Sequence, residues 1–414
     1  MKWGFDVEIL KGKEIILGVT GGIAAYKAVE LVRELTKKGA RVHVVMTRNA
    51  QEFITPLTFQ TLSGNPVQTD LFSLVQDSKI GHVAYADMAH VVAIVPATAN
   101  IIGKVAHGIA DDFLSTMIMA TKSPVLFAPS MNVNMWGSVV VQQNVAILKK
   151  AGYHLIGPEE GDLACEVIGQ GRLSAVTDIV ERIEDLVVER DMDEDRVLIT
   201  AGPTHEPIDP VRFITNRSSG RMGFALAKIA RRRGADVTLI SGPTHLPVPR
   251  GNIRFISVGT ASEMRKEVLE HYKECSVIIK AAAVSDYRPK FTSKQKLKKS
   301  KAPVLLELER NPDIIGEIGS LKGDRILVGF AAETRDLIAN ARKKLKEKNL
   351  DLVVANDVSR SDSGFAVETN RVVIIDSQGK ANRLPLKSKD EVANIILDRV
   401  VEILREKDGR RGKP

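Results

Sequence analysis

Pro129-Ser130-Met131-Asn132-Val133-Asn134-Met135-Trp136 is the most chemically loaded run in the first half of this 414-residue chain. It follows an apolar stretch and so sits at the end of a buried strand. Asn132 supplies an amide that can hold a carboxylate, and two methionines with Trp136 can wall an apolar ring. Two other loops follow apolar strands in the same way. Thr20-Gly21-Gly22-Ile23 opens a helix, where main-chain N–H groups can approach a phosphate; a plain strand-to-helix turn explains it equally well. Pro96-Ala97-Thr98-Ala99-Asn100 offers hydroxyl, amide and N–H groups to a phosphate or a heterocycle, or is ordinary N-capping. His82 and Cys165 carry side chains able to exchange a proton, and a solvated histidine at a helix start and a small buried hydrophobe are the plain readings of the two.

The second half has its own chemistry. Thr204–Arg221 is a polar loop too long for a mere connection. Its Ser218-Ser219-Gly220 leads into a helix, a phosphate site by dipole and amide logic, although the P-loop pattern is absent. Lys296-Leu297-Lys298-Lys299 is a charge run, and most such runs are simply solvated. Lys344 and Lys348 stand at i and i+4 on one helix. Like charges so placed repel by ~0.2–0.5 kcal/mol, and a triphosphate between them would reverse that sign.

These loops need strands to hold them. Short β-branched runs alternate with helical patterns throughout, which predicts parallel sheets with right-handed crossovers and ligands beyond the strand ends. In the first half strands are expected at 15–19, 41–46, 91–95, 125–128 and 153–156, and helices at 24–38, 112–120, 134–151 and 176–188. In the second, strands are expected at 196–200, 236–241, 277–281, 326–330, 352–355 and 371–375, and helices at 223–233, 261–271, 313–318, 336–348 and 389–405. The expected fold class is α/β, two doubly wound Rossmann-like parallel-sheet domains over residues 1–190 and 191–414. The charged stretch 189–196 reads as a solvated linker between them.

A chain this long favours two cores. The formal net charge is +8, yet aromatics are only 5%. Anionic small molecules account for that excess as well as nucleic acid does. Two cysteines far apart make neither a disulfide framework nor a zinc site, and a reducing cytoplasm is expected. The start of the chain lacks the apolar core of a signal peptide, and no apolar run reaches membrane-spanning length, so no membrane is expected.

The run from Pro129 to Trp136 resembles the substrate motif of the flavin-dependent cysteine decarboxylases. Gly81-His82-Val83, Pro96–Asn100 and Ala164-Cys165-Glu166-Val167-Ile168-Gly169-Gln170-Gly171-Arg172 are similar to that family's other signatures. The resemblance implies FMN, held with the help of Gly21, Gly22, Ile23, Thr47, Pro96, Ala97, Thr98, Ala99, Asn100 and Met131. It implies His82 as base, Asn132 on the substrate carboxylate, and Cys165 as proton donor beneath a flap. In that chemistry the flavin oxidises the substrate thiol, and the thioaldehyde becomes the electron sink for loss of carbon dioxide. Val45-Met46-Thr47 carries no acid for a ribose diol, which speaks against NAD. Ser130 departs from the alanine more usual in the motif.

The second half resembles the phosphopantothenate–cysteine ligases. It does so through Thr215–Gly223, Ala281–Tyr287, Lys296–Lys299, Asn311–Ile314, Gly329–Thr334 and Ala355–Val358, with Arg217 and Arg221 varying from the commoner residues. The resemblance implies a fused coenzyme A enzyme that joins 4'-phosphopantothenate to cysteine using CTP, then decarboxylates the product. Ala281, Ala282, Asp286, Asn311, Pro312, Asp313, Ile314, Phe330, Lys344 and Lys348 would hold the nucleotide, with Lys296 on the α-phosphate. Asn216 would meet the acyl phosphate and Asp286 the metal, Mg2+ or Mn2+. A homo-oligomer is implied, with trimeric flavin domains and dimeric ligase domains. A flavin prenyltransferase would need neither Cys165 nor the Asn132 motif. A nucleic-acid-binding flavoprotein is disfavoured by the dispersed charge.

Overall fold

A computed structural model describes residues 9–71, 81–162, 168–298, 305–333, 336–357 and 369–409, and divides the chain between Val188 and Glu189. The first unit runs β1 (Glu14–Val19), α1 (Ala25–Lys37), β2 (Arg41–Met46), α2 (Pro56–Ser63), α3 (Gly81–Met88), β3 (Val91–Ala97), α4 (Ala99–Ala106), α5 (Phe113–Ala120), β4 (Val125–Pro129), α6 (Val133–Gly137), α7 (Val139–Lys150), β5 (His154–Leu155), β6 (Glu159–Asp162), β7 (Ile168–Arg172) and α8 (Val176–Val187). Five parallel strands pair in the order β2-β1-β3-β4-β5. Every residue of β3 is buried, as a central strand covered on both faces must be. α1 covers one face with Ala25, Ala28, Leu31, Val32 and Leu35, the three-and-four spacing of an amphipathic helix. Phe113, Leu114, Met117 and Ile118 help fill the other. Strand order reverses between β1 and β3, and there the two outgoing loops part to leave a crevice.

The second unit runs β8 (Arg196–Ala201), β9 (His205–Pro207), β10 (Phe213–Thr215), α9 (Arg221–Arg232), β11 (Asp236–Ser241), β12 (Ile253–Ser257), α10 (Ala261–His271), β13 (Val277–Lys280), β14 (Tyr287–Pro289), β15 (Leu308–Arg310), α11 (Ile314–Leu321), β16 (Ile326–Glu333), α12 (Leu337–Glu347), β17 (Leu352–Asp357), β18 (Thr369–Asn370), β19 (Val372–Asp376), β20 (Ala381–Arg383), β21 (Lys387–Ser388) and α13 (Lys389–Asp408). Its sheet has eight strands in the order β12-β11-β8-β13-β16-β17-β19-β20. The first six are parallel and follow the doubly wound 3-2-1-4-5-6 pattern, with the reversal between β8 and β13.

Three expectations need correction. The second sheet is not parallel throughout: β19 pairs antiparallel with both β17 and β20. β19 and β20 are joined by a tight turn, in which the Asp376 carboxylate accepts the N–H groups of Gln378 and Lys380, and a turn that short can only reverse the chain. The helix expected over 134–151 is two helices, α6 and α7, parted at Gly137-Ser138, both poor helix residues. The stretch 189–196 is not a solvated linker. Met192 is fully buried, its N–H donates to Arg233 O at 2.9 Å, and Asp191 pairs with the Arg233 guanidinium at 2.6 Å. Asp195 is buried too and accepts Ser276 Oγ at 2.9 Å. Two of the charges that made the stretch look solvated, Asp191 and Asp195, are the groups that dock it, while Glu189, Arg190, Asp193, Glu194 and Arg196 are exposed.

Candidate active sites

In the first unit the loops after β1 and β3 are stapled by one hydroxyl. Thr20 Oγ1 donates to Pro96 O at 2.7 Å and accepts the Thr98 N–H at 3.2 Å. Gly22 faces Thr98 and Pro96 across ordinary contact distance. Gly21 lies so close to the loop after β2 that a Cβ on it would fall 2.5 Å from Asn49 Cβ. Thr47 N–H donates to Val19 O at 3.0 Å, and Ser130 N–H to Ala97 O at 3.1 Å. Residues 20–23, 47–50, 96–100 and 129–132 are thus drawn together at the carboxyl ends of β1 to β4. α1 and α4 both begin there without a side-chain cap, although in α1 the Ala25 and Lys27 N–H groups already donate to Gly22 O and Ala24 O.

Asn132 caps α6, its Oδ1 accepting the Asn134 N–H at 2.8 Å, which fixes the amide. Met131 N–H donates to Gly171 O at 3.0 Å, and Gly169 packs against Val133 so closely that a Cβ would meet Val133 Cγ2 at 2.7 Å. The described arms of the β6–β7 hairpin therefore rest on the Asn132 loop. Cys165, on which the proton-donor expectation rests, lies outside the described residues, as do Ala164, Glu166 and Val167. His82 stacks edge-on to Phe113, ring centroids 6.3 Å apart, and Phe113 belongs to the apolar cluster against which Met131 and Trp136 pack. His82 Nδ1 and Thr47 Oγ1 are buried without a hydrogen-bond partner. A buried orphan polar atom costs ~1–3 kcal/mol, so the Thr47 hydroxyl, whose residue is tied to the end of β1, fits a polar ligand that would satisfy it.

In the second unit a cavity of about 850 Å³ opens where the strand order reverses. Asn216, Ala281, Ala282, Asp286, Asn311, Pro312, Asp313, Ile314, Phe330, Lys344 and Lys348 all line it, as expected. Lys344 Nζ donates to Phe330 O at 2.7 Å, while Lys348 pairs with Asp313 at 2.5 Å. The two lysines thus have separate partners, and the Lys348 charge is still felt at Lys344. Burial pushes the Lys344 ammonium down from its ordinary value. Asp313 is pushed up by burial, but Lys348 and the Gly316 N–H outweigh that and hold its carboxyl low. Asn216 donates its amide nitrogen to Ala283 O at 3.2 Å and Val284 O at 3.1 Å. Asn311 likewise donates to Ser285 O at 2.9 Å, leaving its Oδ1 buried and unpaired.

Lys296 is the expected residue that the structure does not bring to this cavity. It is exposed, and its loop is held away by the Asp209–Arg212 turn: Leu297 N–H donates to Asp209 Oδ2 at 3.1 Å and Arg212 donates to Leu297 O at 2.6 Å. Several wall residues were not singled out from sequence. Lys280 ends β13, and burial with the nearby Lys344 charge pushes it down to about 8. Its signal was a lone lysine closing an apolar strand. Ser285 stood within the Ala281–Tyr287 run without a role of its own, Lys389 was read only as the start of a helix, and Arg310 gave no signal.

Residues 192–404 match the DNA/pantothenate metabolism flavoprotein C-terminal domain family, and residues 7–188 the Flavoprotein family. The Coenzyme A biosynthesis bifunctional protein CoaBC of Bacillus subtilis is 46% identical over 401 residues, covering 96% of this chain and 99% of that protein. Its counterpart in Vibrio cholerae is 45% identical, covering 96% and 100%. The chain belongs to the coenzyme A biosynthesis bifunctional protein family. Among solved structures, the C-terminal domain of Coenzyme A biosynthesis bifunctional protein CoaBC is 42% identical and covers 53% of this chain and 100% of that one, with a TM-score of 0.46. The decarboxylase and ligase expected from the sequence follow with the family, the flavoprotein domain standing first. No helix among the described residues is long and apolar enough to cross a membrane.

Proposed function

We propose that the second unit joins 4'-phosphopantothenate to cysteine with CTP, and that the first converts the product to 4'-phosphopantetheine with FMN. The observation that carries this reading is the single cavity at the β8/β13 reversal, which gathers every residue expected to hold the nucleotide except Lys296. In it the substrate carboxylate attacks the α-phosphorus and pyrophosphate leaves. Charge accumulates on phosphorus, and Lys280, Lys344 and Lys348, which line the cavity, would stabilise it. Asp286 would share Mg2+ or Mn2+ with the phosphates, the way such an ion is commonly held. Among the described residues no group of three or more His, Cys, Asp or Glu could hold a metal. The amide nitrogen of Asn216 is committed to two carbonyls, so its oxygen is the group left to meet a ligand. That acceptor suits the attacking cysteine amine better than an acyl-phosphate oxygen. Lys296 reaches the α-phosphate only when Leu297 leaves the Asp209–Arg212 turn.

In the first unit, Thr20–Ile23, Thr47 and Pro96–Asn100 would hold FMN, its phosphate against the uncapped starts of α1 and α4. The flavin supplies a reversible two-electron exchange with the substrate thiol. Asn132 orients the carboxylate that departs, His82 accepts the thiol proton, and Cys165 returns a proton to carbon. Ile23, Tyr26 and Leu57 are 58–69% exposed close to this crevice, apolar surface that a second copy would cover, in keeping with a homo-oligomer. The test has two arms. Purified protein should show an oxidised-flavin spectrum and release carbon dioxide from 4'-phosphopantothenoylcysteine. With 4'-phosphopantothenate and cysteine it should release pyrophosphate from CTP in preference to ATP. A colourless protein that takes up no FMN sinks the first half of the proposal, and absence of pyrophosphate with either nucleotide sinks the second.

A further inference from the structure

His82 sits on a helix that cannot hold it alone. α3 is 8 residues long and buries only Ala86 fully. Several of its ties among the described residues run to α5 and the turn after it. Thr121 Oγ1 donates to Ala86 O at 3.1 Å, and Ser123 Oγ donates to Ala89 O. Towards the start of α3, Phe113 meets two rings edge-on: His82 with centroids 6.3 Å apart, and Tyr85 at 5.6 Å. A Cβ on Gly81 would lie 3.4 Å from Phe113 Cε2, so the backbone beside His82 rests on the same ring. His82 Nδ1 has no hydrogen-bond partner among the described residues, so no polar contact at that atom orients the imidazole.

Phe113 is itself firmly held. It is the first residue of α5 and 3% exposed. Asp112 caps the helix: its Oδ1 accepts the Ser115 N–H at 2.8 Å, and Ser115 Oγ accepts the Asp112 N–H at 3.2 Å. Asp112 Oδ2 accepts from Lys104 Nζ at 2.9 Å, and Lys104 also pairs with Asp111 at 2.6 Å. Lys104 belongs to α4, which begins in the loop expected to hold the flavin. Burial pushes the Asp112 carboxyl up, but the Ser115 N–H and Lys104 outweigh that and hold it low. The next residue, Leu114, enters the space that a glycine leaves in β1: a Cβ on Gly18 would fall 2.6 Å from Leu114 Cδ1. The first turn of α5 is therefore fixed by its own cap, by α4 and by the sheet. An aromatic pair prefers particular ring angles, and an aliphatic side chain in place of Phe113 would impose none.

From this we infer that Asp112 and Phe113 are positioning residues for the decarboxylation: Asp112 fixes the first turn of α5, and the Phe113 ring sets the angle at which His82 is presented to the substrate thiol. Both act through His82. The inference rests on His82 being the base proposed above.

The experiment uses full-length protein carrying Phe113→Leu, Asp112→Ala, Asp112→Asn or His82→Asn, and the double variant of Phe113→Leu with His82→Asn. In FMN-loaded protein, bleaching of the flavin on mixing with 4'-phosphopantothenoylcysteine gives the rate of flavin reduction, and its concentration dependence gives substrate affinity. Phe113→Leu and Asp112→Ala should each slow reduction by about tenfold or more, because a misplacement of about 1 Å can cost a hundredfold. Substrate affinity, FMN affinity and ligation should hold. Asp112→Asn should recover most of the loss, since its amide oxygen still caps α5. With His82→Asn already present, Phe113→Leu should slow reduction no further, as residues that act as a unit are not additive. A merely structural role would add the same loss in both backgrounds, and that result overturns the inference. Should Phe113→Leu fail to take up FMN, the same cycle is run with Asp112→Ala, whose side chain is not in the core. A second readout needs no flavin. In the apoprotein, the His82 ring resonances, assigned by their loss in His82→Asn, should move in Asp112→Ala, which keeps the Phe113 ring but releases its turn; unmoved resonances overturn the inference as well. His82→Asn tells the two failures apart. Full flavin reduction by that variant removes the base itself, whereas a slow His82→Asn beside an unimpaired Phe113→Leu leaves the base in place and removes only the positioning.

Discussion

Gly223→Ala should separate the two activities of this chain. Gly223 lies in the first turn of α9, where the helix crosses β8 at closest approach. A Cβ there would sit 2.5 Å from Ala201 Cβ, 3.0 Å from Ala201 Cα and 3.1 Å from Thr200 O. Carbon atoms pack at about 3.5–4.0 Å, so the first turn must move outward by about 1 Å. Two of the three atoms met are main chain of a central strand and cannot yield, and overpacking of this kind costs about 1–3 kcal/mol. The functional loss exceeds the loss of stability, because the same turn carries Arg221 and follows Ser218-Ser219-Gly220 into the cavity. A misplacement of about 1 Å in a positioning element can cost a hundredfold in rate. Pyrophosphate release should therefore fall about a hundredfold in kcat/KM. Decarboxylation of supplied 4'-phosphopantothenoylcysteine should not change, since Gly223 belongs to the second unit. Calorimetry should show a transition lowered by about 2–4 °C for each kcal/mol. Ligation within twofold of the parent would refute the reasoning, for it would mean that the cavity tolerates a displaced α9.

Thr20→Val keeps the shape of the side chain but leaves Pro96 O and the Thr98 N–H without their partner, a loss of about 1–3 kcal/mol. Flavin affinity, titrated by absorbance, should drop at least about tenfold with ligation intact; unaltered affinity would show that the staple does not shape the flavin loops. Lys280 titrates near 8 in the folded protein against 10.5 when unfolded. Its charged form is therefore disfavoured by folding, and stability should rise as pH increases through that window. Bound nucleotide favours the charged form, so CTP affinity should weaken as pH passes about 8, with proton uptake on binding; calorimetry in buffers of different ionisation enthalpy that found neither would argue against a phosphate contact. Cys165→Ser should still release carbon dioxide but accumulate an oxidised enethiol, visible by mass spectrometry; full conversion to 4'-phosphopantetheine would remove the thiol from its role.

The strands that carry the chemistry were legible because they are buried on both faces and bounded by glycine and proline. β2, β11 and α10 fall where periodicity places them, and the loops after β1, β3, β4 and β13 are where the motifs say. α2 and α3 were missed, since Pro56–Ser63 and Gly81–Met88 each bury a single residue fully and leave no periodic stripe. The charged stretch at 189–196 misled for a different reason. A sequence shows Asp191 and Asp195 as charges, and only the fold shows that Arg233 and Ser276 receive them. Lys296 is a case in which the residue type was informative but the placement was not, because the Asp209 and Arg212 side chains hold the main chain of Leu297 from far along the sequence, where no spacing shows the link.

Both units place their site by the same rule, and the rule explains which residues a motif can find. Where strand order reverses, adjacent loops leave in opposite directions, and the crevice between them is lined by whatever immediately follows the strands. Thr20–Ile23 and Pro96–Asn100 in one unit, and Ala281–Asp286 in the other, are such residues, contiguous and therefore readable as words. Lys389, Asn370 and Asn356 reach the same cavity from later elements. They come from separate stretches of chain; Asn356 falls within the Ala355–Val358 run, but no spacing announces Lys389 or Asn370. It follows that the specificity of the ligase site should be harder to read from motifs than its chemistry. The contiguous loops fix where phosphorus and carbonyl meet, while the scattered residues line the rest of the cavity. A substitution in the first group should lower kcat, and one in the second should chiefly raise KM. Asn356→Ala and Ala282→Val, compared on both constants, put that division to the test. An Asn356→Ala variant that lost kcat with an unchanged KM would break it.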